Sequence, residues 1–316
     1  MSRQRLTFSL RLIAIMLGRL RMSTREALDE YDNCAAKIFS KDNRKRWSLS
    51  ERFRATALQE AVEGIVKARG LGERMWDPQC PDKGKAIVCV MASNSIEDAR
   101  VVRSFPGDPD DPQWDENITI WQAARATTAA SSFFKPQQLG DGAEAQTYID
   151  AAIGANNPVK YLLDEAVLEF GTGRRLGCVV SIGTGTRHIE LGRAITGLRN
   201  FAQAPSWYIH LIKALKSKAT DSEEAHRQLQ SRLARFPGSY FRFNVPEAAE
   251  KIGLHHYEKM PELKLLTTDY LSDKAISGQV RKIAEVLKTD VFHHGLVLGH
   301  LSTEPFNLIC FSWCLF

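Results

Sequence analysis

The chain has 316 residues, 44% hydrophobic and 25% charged, so it can bury a full core in one large domain or two small ones. The net charge of +5 is mild, and basic and acidic residues are interspersed along most of the sequence. This pattern argues against a nucleic-acid-binding protein. No run approaches the roughly 18 to 20 apolar residues that span a bilayer.

The first 25 residues contain six arginines and no acidic residue. The apolar run from Leu12 to Leu17 is short for the hydrophobic region of a secretory signal, and Arg11 adjoins it. A transit peptide fits the arginine excess better than a secretory signal does, but the run indicates neither clearly. The six cysteines have no C-x-x-C spacing, which predicts a reducing, cytoplasmic location and no zinc site.

Helical and strand patterns alternate along the chain, which predicts an α/β layered domain. The capping box Ser23-x-x-Glu26 predicts a helix from Thr24 to about Phe39. The same spacing at Ser48-x-x-Glu51 predicts a second helix, with apolar residues at helical intervals until Gly70. The later predicted elements are a strand over 85–92, an acidic turn over 106–112, helices over 120–130 and 159–170, a strand over 176–182, a helix over 204–230, a strand over 239–245 and a helix over 268–287.

Three ordered blocks carry the functional signal: the block 121–134 (WQAARATTAASSFF), which contains most of the small-residue helix, the segment 148–158 (YIDAAIGANNP) and the turn 181–185 (SIGTG). Together they resemble the patatin-like phospholipases, especially their fungal branch, in which a small-residue helix precedes a D-G-G/A-x-x-x-N-N-P segment and an S-I-G-T-G turn. The resemblance covers roughly residues 12–288. It predicts a patatin-like domain there, a divergent segment over 1–11 and an unassigned tail over 289–316.

The resemblance implies a three-layer α/β/α fold with a serine–aspartate dyad, in which the aspartate is the general base that activates the serine hydroxyl. The implied activity is lipid acyl hydrolysis, the cleavage of a carboxylic ester of a glycerolipid or phospholipid by water without metal or cofactor. Asp150 matches the family aspartate. Asp141 also begins a D-G-A sequence, but the N-N-P at 156–158 fixes the register at Asp150. The simpler alternative is that Asp150 only caps a turn.

The N-terminus departs from the family. The family's G-x-S-x-G-G elbow would occupy residues 6–11, which read LTFSLR here, so Phe8 stands at the serine position. Ser9 is one residue away, and a shift of one position on a helix turns the side chain by about 100°. Ser9 is therefore not expected to replace the nucleophile. A Gly-rich oxyanion loop and the first strand are also missing from the sequence, which predicts an N-terminally truncated domain. Ala151 replaces the glycine that usually follows the aspartate, a substitution that costs about 1 kcal/mol if φ is positive.

Two other features have structural interpretations. The SIGTG turn lacks the lysine of a phosphate loop, so a tight turn at a strand end is favoured over nucleotide binding. Arg125 lies in the small-residue helix and is predicted to be buried and paired with a carboxylate. The basic N-terminal region and the aromatic residues Trp47 and Trp114 are candidates for peripheral membrane contact, although scattered aromatic residues are normal on surfaces.

The sequence leaves two main hypotheses. One is a patatin-like lipid acyl hydrolase in which Asp150 is the general base of a serine–aspartate dyad whose serine is absent from this chain. The other is a catalytically silent, truncated patatin-like protein that acts as a binding module or is a non-functional fragment. A third, an α/β binding protein unrelated to this family, is disfavoured by the three blocks. Labelling with a fluorophosphonate probe, which requires an activated serine, separates the first two.

Overall fold

The computed structural model of the chain describes most of residues 12–288. The chain divides into two compact units. The first contains the described residues up to 151 together with 257–260, and the second contains 158–183, 221–245 and the described residues from 261 onward. The described residues are 7–45, 53–80, 85–94, 99–108, 110–111, 116–129, 134–140, 145–151, 158–183, 221–245, 257–289, 297 and 310–313.

The first unit is a four-stranded antiparallel sheet with helices packed on it. The strands lie in the order β2-β1-β4-β3, and β1 pairs with both β2 and β4. Helix α4 packs against β1, β3 and β4, and α3 packs against α4. The elements are α1 (Thr7–Ala14), a π-helix (Ile15–Arg19), α2 (Thr24–Ile38), a 3-10 helix (Lys41–Asn43), α3 (Ala55–Arg69), β1 (Ile87–Ala92), β2 (Ala99–Arg103), α4 (Ile120–Thr127), β3 (Gln137–Leu139) and β4 (Gln146–Asp150).

The core of the first unit lies between these helices and the sheet. The apolar run of β1 predicts a strand covered on both faces, and this is confirmed, since Val88 to Met91 are all buried. Gly18 lies in the π-helix, and a Cβ there would stand 2.6 Å from the Cβ of Ala86. This glycine therefore lets the N-terminal helical segment pack directly against the chain that enters β1.

Arg19, at the end of the π-helix, is 3% exposed and fastens the irregular segment 71–80. Its guanidinium donates to the backbone carbonyls of Leu71, Arg74 and Met75 at 2.8 to 3.1 Å. Burial lowers the pKa of this guanidinium, while the neighbouring Cys80 and Asp77 oppose that shift. The planar guanidinium thus satisfies three backbone carbonyls of a segment that has no regular helix or strand hydrogen bonds.

The second unit is built around a three-stranded parallel sheet in the order β6-β5-β7. Two small apolar clusters stabilise it, one around Leu176 and Val179 and the other around Val180 and Phe241. The elements are α5 (Val159–Phe170), β5 (Val179–Ile182), α6 (Asp221–Leu233), β6 (Tyr240–Phe243), a 3-10 helix (Tyr257–Lys259, in the first unit), α7 (Met260–Ser272), α8 (Lys274–Thr289) and β7 (Cys310–Trp313).

The predicted α/β fold class is confirmed, and several boundaries are close. The capping box at Ser23 forms with both of its hydrogen bonds, and Gly70 ends α3 in the left-handed conformation at φ +62°. The capping prediction at Ser48 is wrong, because α3 begins at Ala55 and its N-cap residue is Arg54. Phe53 instead forms a β-bridge with Arg44. Most of the predicted helix over 204–230 lies outside the described residues.

The buried cysteines give a first testable prediction. Burial raises the pKa of the Cys34 thiol to about 12 and that of Cys178 to about 11, so both stay protonated at pH 8. Cys80 is only partly buried. We expect iodoacetamide at pH 8 to alkylate Cys80 long before Cys34 and Cys178, as measured by peptide mass spectrometry. In urea all three should react at similar rates; equal rates in the native protein would contradict the described packing.

Candidate active site

Asp150 lies at the last position of β4, where the sequence predicts an aspartate at a strand end. It pairs with Val90 of β1 across the sheet, and its backbone N–H donates to the carbonyl of Ala129 at 3.2 Å. The residue is 1% exposed. Burying a carboxylate at this depth is costly unless it is paired with a cation or hydrogen-bonded.

Arg11, in α1, supplies that cation. Its Nη1 forms an ion pair with Oδ1 of Asp150 and also donates to the backbone carbonyl of Thr127. Arg11 is itself 4% exposed, so the pair is withdrawn from water. The Thr127 hydroxyl donates to the carbonyl of Cys89 at 2.7 Å, which ties the end of α4 to β1. Residues from α1, α4 and β4 thus meet at one buried point.

Sequence reasoning missed this partnership. Arg11 falls at the last glycine position of the family elbow, and it was noted only as a charge beside an apolar run. The sequence does carry one signal for this pairing, because Arg11 is the one charged residue from Leu6 to Gly18. The described residues of this stretch, 7–18, are helical. A charge in such a stretch requires a buried partner when the helix packs into a core.

The elbow region itself is helical. Helix α1 begins at Thr7, so residues 7–11 form helical turns instead of the strand-to-helix turn that the resemblance predicts over residues 6–11. The lack of glycine explains this difference, because LTFSLR offers no residue suited to the sharp backbone turn of a nucleophile elbow. The side chains of Phe8 and Ser9 lie outside the described part of the chain.

The alanine after the aspartate carries no strain. Among the described residues, Arg21 is the only non-glycine residue with positive φ, so Ala151 has an ordinary backbone conformation. The expected cost of replacing glycine therefore does not arise at this position. Asp141, the alternative aspartate, and Asn156-Asn157 lie outside the described residues, as do Trp47 and Trp114.

The first residues of the SIGTG block lie at the end of β5 in the second unit. Ser181 is fully buried and its hydroxyl accepts a hydrogen bond from Nη1 of Arg242 at 2.8 Å. A Cβ on Gly183 would stand 2.4 Å from Oδ1 of Asn244, so a larger residue here would displace the Asn244 side chain. These contacts place residues 181–183 at the end of a strand, and the tight turn stays a prediction. Residues 184 and 185 lie outside the described part.

Arg125 is buried, as predicted, at 3% exposure. Its Nη2 donates to the carbonyl of Lys135 at 2.7 Å, and its guanidinium lies 5.4 Å from the ring centroid of Phe134. These two contacts join α4 to the segment leading into β3 and support the predicted structural role. The pairing of Arg125 with a carboxylate stays a prediction.

Within the described ranges, no helix combines the length and apolar character needed to cross a membrane. In the same part of the chain, no three histidine, cysteine or acidic side chains are grouped as metal ligands would be.

Comparison with known proteins finds matches to patatin-like phospholipases. Residues 12–163 match the family model described as patatin-like phospholipase. The chain is 28% identical over 292 residues to calcium-independent phospholipase A2-gamma of Oryctolagus cuniculus, and equally so to that of Homo sapiens, covering 88% of this chain and 34% of each relative. It is 27% identical over 186 residues to patatin-like phospholipase 1 of Plasmodium falciparum, covering 54% of this chain. The chain spans about one third of the length of the mammalian relatives.

Proposed function

We propose that this chain, whose residues 12–163 match the patatin-like phospholipase family model, is a lipid acyl hydrolase whose general base is Asp150. The substrate class is a glycerolipid or phospholipid, and water is the second substrate. One observation supports the choice of Asp150 above all others. Its carboxylate is buried at the end of β4 and contacts α1, the helix that occupies the register of the family's nucleophile elbow.

The proposed chemistry is two-step acyl transfer. The carboxylate takes the proton of a serine hydroxyl as its oxygen attacks the ester carbonyl, and the alcohol or lysolipid leaves with a proton. Water, deprotonated by the same carboxylate, then attacks the acyl-serine and releases the fatty acid. Asp150 is the half of the dyad that we assign. Identifying the serine is part of the experiment below, because Phe8 stands at the family's serine position.

Labelling with a fluorophosphonate probe tests this function. We expect the wild-type chain to be labelled on a serine, and Asp150→Asn to slow labelling by about 100- to 10,000-fold, because the hydroxyl loses its base. Mass spectrometry of the labelled peptide identifies the nucleophile. Asp29→Asn, the same chemical change on the exposed side of α2, is the matched control and should label at the wild-type rate.

Circular dichroism on each variant separates loss of the base from loss of the fold. If the folded wild-type chain is not labelled, or if Asp150→Asn is labelled as fast as wild type, the proposed function is wrong. The first of these results would leave a silent binding module as the function of this chain.

We also propose a cytoplasmic location and peripheral contact with a lipid surface. The free thiols of Cys34, Cys89 and Cys178 support a reducing compartment. A lipid substrate supports surface contact, because the ester must reach the site from an aggregate or bilayer. Fractionation of cells that express the tagged chain measures both.

A further inference from the structure

Helix α8 (Lys274–Thr289) is amphipathic, and only part of its apolar side is covered. Ile283 is 8% exposed and packs with the half-buried Ile276 and Val286 on a small cluster of the second unit. This contact fixes which side of the helix faces the core. The other members of that cluster are Cys178, Val180, Phe241, Phe243, Ile182 and Tyr270.

Two aliphatic side chains beside this packed side remain in water. Val280 is 42% exposed and Leu287 is 41% exposed. Residues seven apart on an α-helix differ by only about 20° in direction, so the two lie on one line along the helix. Because an α-helix rotates by about 100° per residue, this line lies next to the line of Ile276 and Ile283. The apolar side therefore continues past its contact with the core.

A line of basic residues runs parallel to this exposed aliphatic line. Lys274, Arg281 and Lys288 are also spaced by seven, and all three are exposed. Arg281 and Lys288 each follow one of the two aliphatic residues, so the basic line lies about 100° further round the helix. Lys282 adds a fourth exposed cation on the other flank, and Glu285 is the one acidic residue of α8.

We propose that this face of α8 docks on an anionic lipid surface. The basic line would lie among the lipid phosphates and carboxylates, while Val280 and Leu287 enter the boundary between headgroups and acyl chains. A lipid surface is favoured over an acidic protein because the cations form one line along the helix and the exposed aliphatic groups form a second line parallel to it. This arrangement suits a planar interface in which charged headgroups lie above the hydrocarbon. The inference rests on the proposed function only in taking lipid as the partner.

Vesicle flotation tests the proposal with the whole chain. We expect binding to phosphatidylcholine vesicles that contain phosphatidylserine, weak binding to pure phosphatidylcholine, and loss of binding as salt rises. Arg281→Gln/Lys288→Gln should weaken binding by about 30-fold, roughly fivefold for each charge near the surface. Val280→Ser/Leu287→Ser should weaken it severalfold while leaving the charge unchanged. All four positions are exposed, and circular dichroism verifies the fold.

Lys37→Gln/Lys67→Gln is the matched control, since it removes two exposed charges from helices α2 and α3. Equal weakening by this control would show attraction by net charge alone and overturn the proposal. So would absence of vesicle binding, or binding to polyglutamate in preference to vesicles, which would indicate an acidic protein partner. The readout involves no turnover, so Asp150→Asn should bind vesicles like wild type even if the proposed hydrolysis is wrong.

Discussion

Replacing Arg11 with leucine is expected to destabilise the first unit by about 3 to 5 kcal/mol. The substitution removes the Arg11 guanidinium from its ion pair with the Asp150 carboxylate, which is 1% exposed. Removing one partner of a buried ion pair has this magnitude because an uncompensated charge remains away from water. Urea denaturation followed by fluorescence measures the change in the free energy of unfolding.

The double variant Arg11→Leu/Asp150→Leu isolates the charge effect. It should recover most of the lost stability, because replacing both members of a buried pair by apolar residues is often neutral or stabilising. Within the described residues, Nη2 of Arg11 has no hydrogen-bond partner, so removing the guanidinium also removes an unsatisfied donor. Arg25→Leu, on the exposed start of α2, controls for the substitution itself. If the double variant is as unstable as the single one, packing rather than charge explains the loss.

Phe134→Ala is expected to lower the stability of the first unit by a similar amount, about 3 to 5 kcal/mol. The Phe134 ring is fully buried, lies 6.3 Å from the ring of Phe39, centroid to centroid, and covers the guanidinium of Arg125. Truncation to alanine opens a cavity in the core and exposes that guanidinium to it. Thermal and urea unfolding of the variant measure the loss.

A conservative and a surface variant accompany this experiment. Phe134→Leu keeps most of the volume and should cost clearly less than alanine, although it loses the ring contact with Arg125. Leu168→Ala, at a side chain that is 75% exposed, should change stability by no more than about 0.5 kcal/mol. Equal losses for alanine and leucine at position 134 would contradict the packing described around the ring.

The sequence predicts an element well when the residues that start and end it lie next to it in the chain. Helix α5 runs from Val159 to Phe170 as predicted, because Pro158 starts it and Gly171 at φ +72° ends it. The Ser23 box works for the same reason, since the residues that satisfy the helix end are three positions apart. Asp150 could be placed at the end of a strand from the apolar residues just before it.

Features that depend on distant residues could not be predicted this way. The single helix predicted over 268–287 is wrong: the structure has α7 and α8, and the side chain of Asp273 accepts from the N–H groups of Ala275 and Ile276 to start a new helix. Asp273 lies within a continuous helical period of apolar residues, and that period hides the break between the two helices. Strand β3 has only three residues and is held by its pairing with β4, so its own sequence carries almost no signal.

The partner of Asp150 belongs to the same class. Arg11 and Asp150 are far apart in the sequence, and the residues around each of them do not indicate that the two form an ion pair. Family resemblance points to the aspartate but implies a serine opposite it. Only the packing of α1 beside the end of α4 reveals that a guanidinium contacts the carboxylate in this chain.

The way Arg19 holds the 71–80 segment bears on how this chain can drift in evolution. Its guanidinium binds main-chain oxygens, which every amino acid provides, so Leu71 and Arg74 are free to mutate without loosening the attachment. The constraint falls instead on position 19, where lysine would offer a single charged group in place of a planar fork. Among natural variants, we expect positions 71 and 74 to vary more than the arginine at position 19.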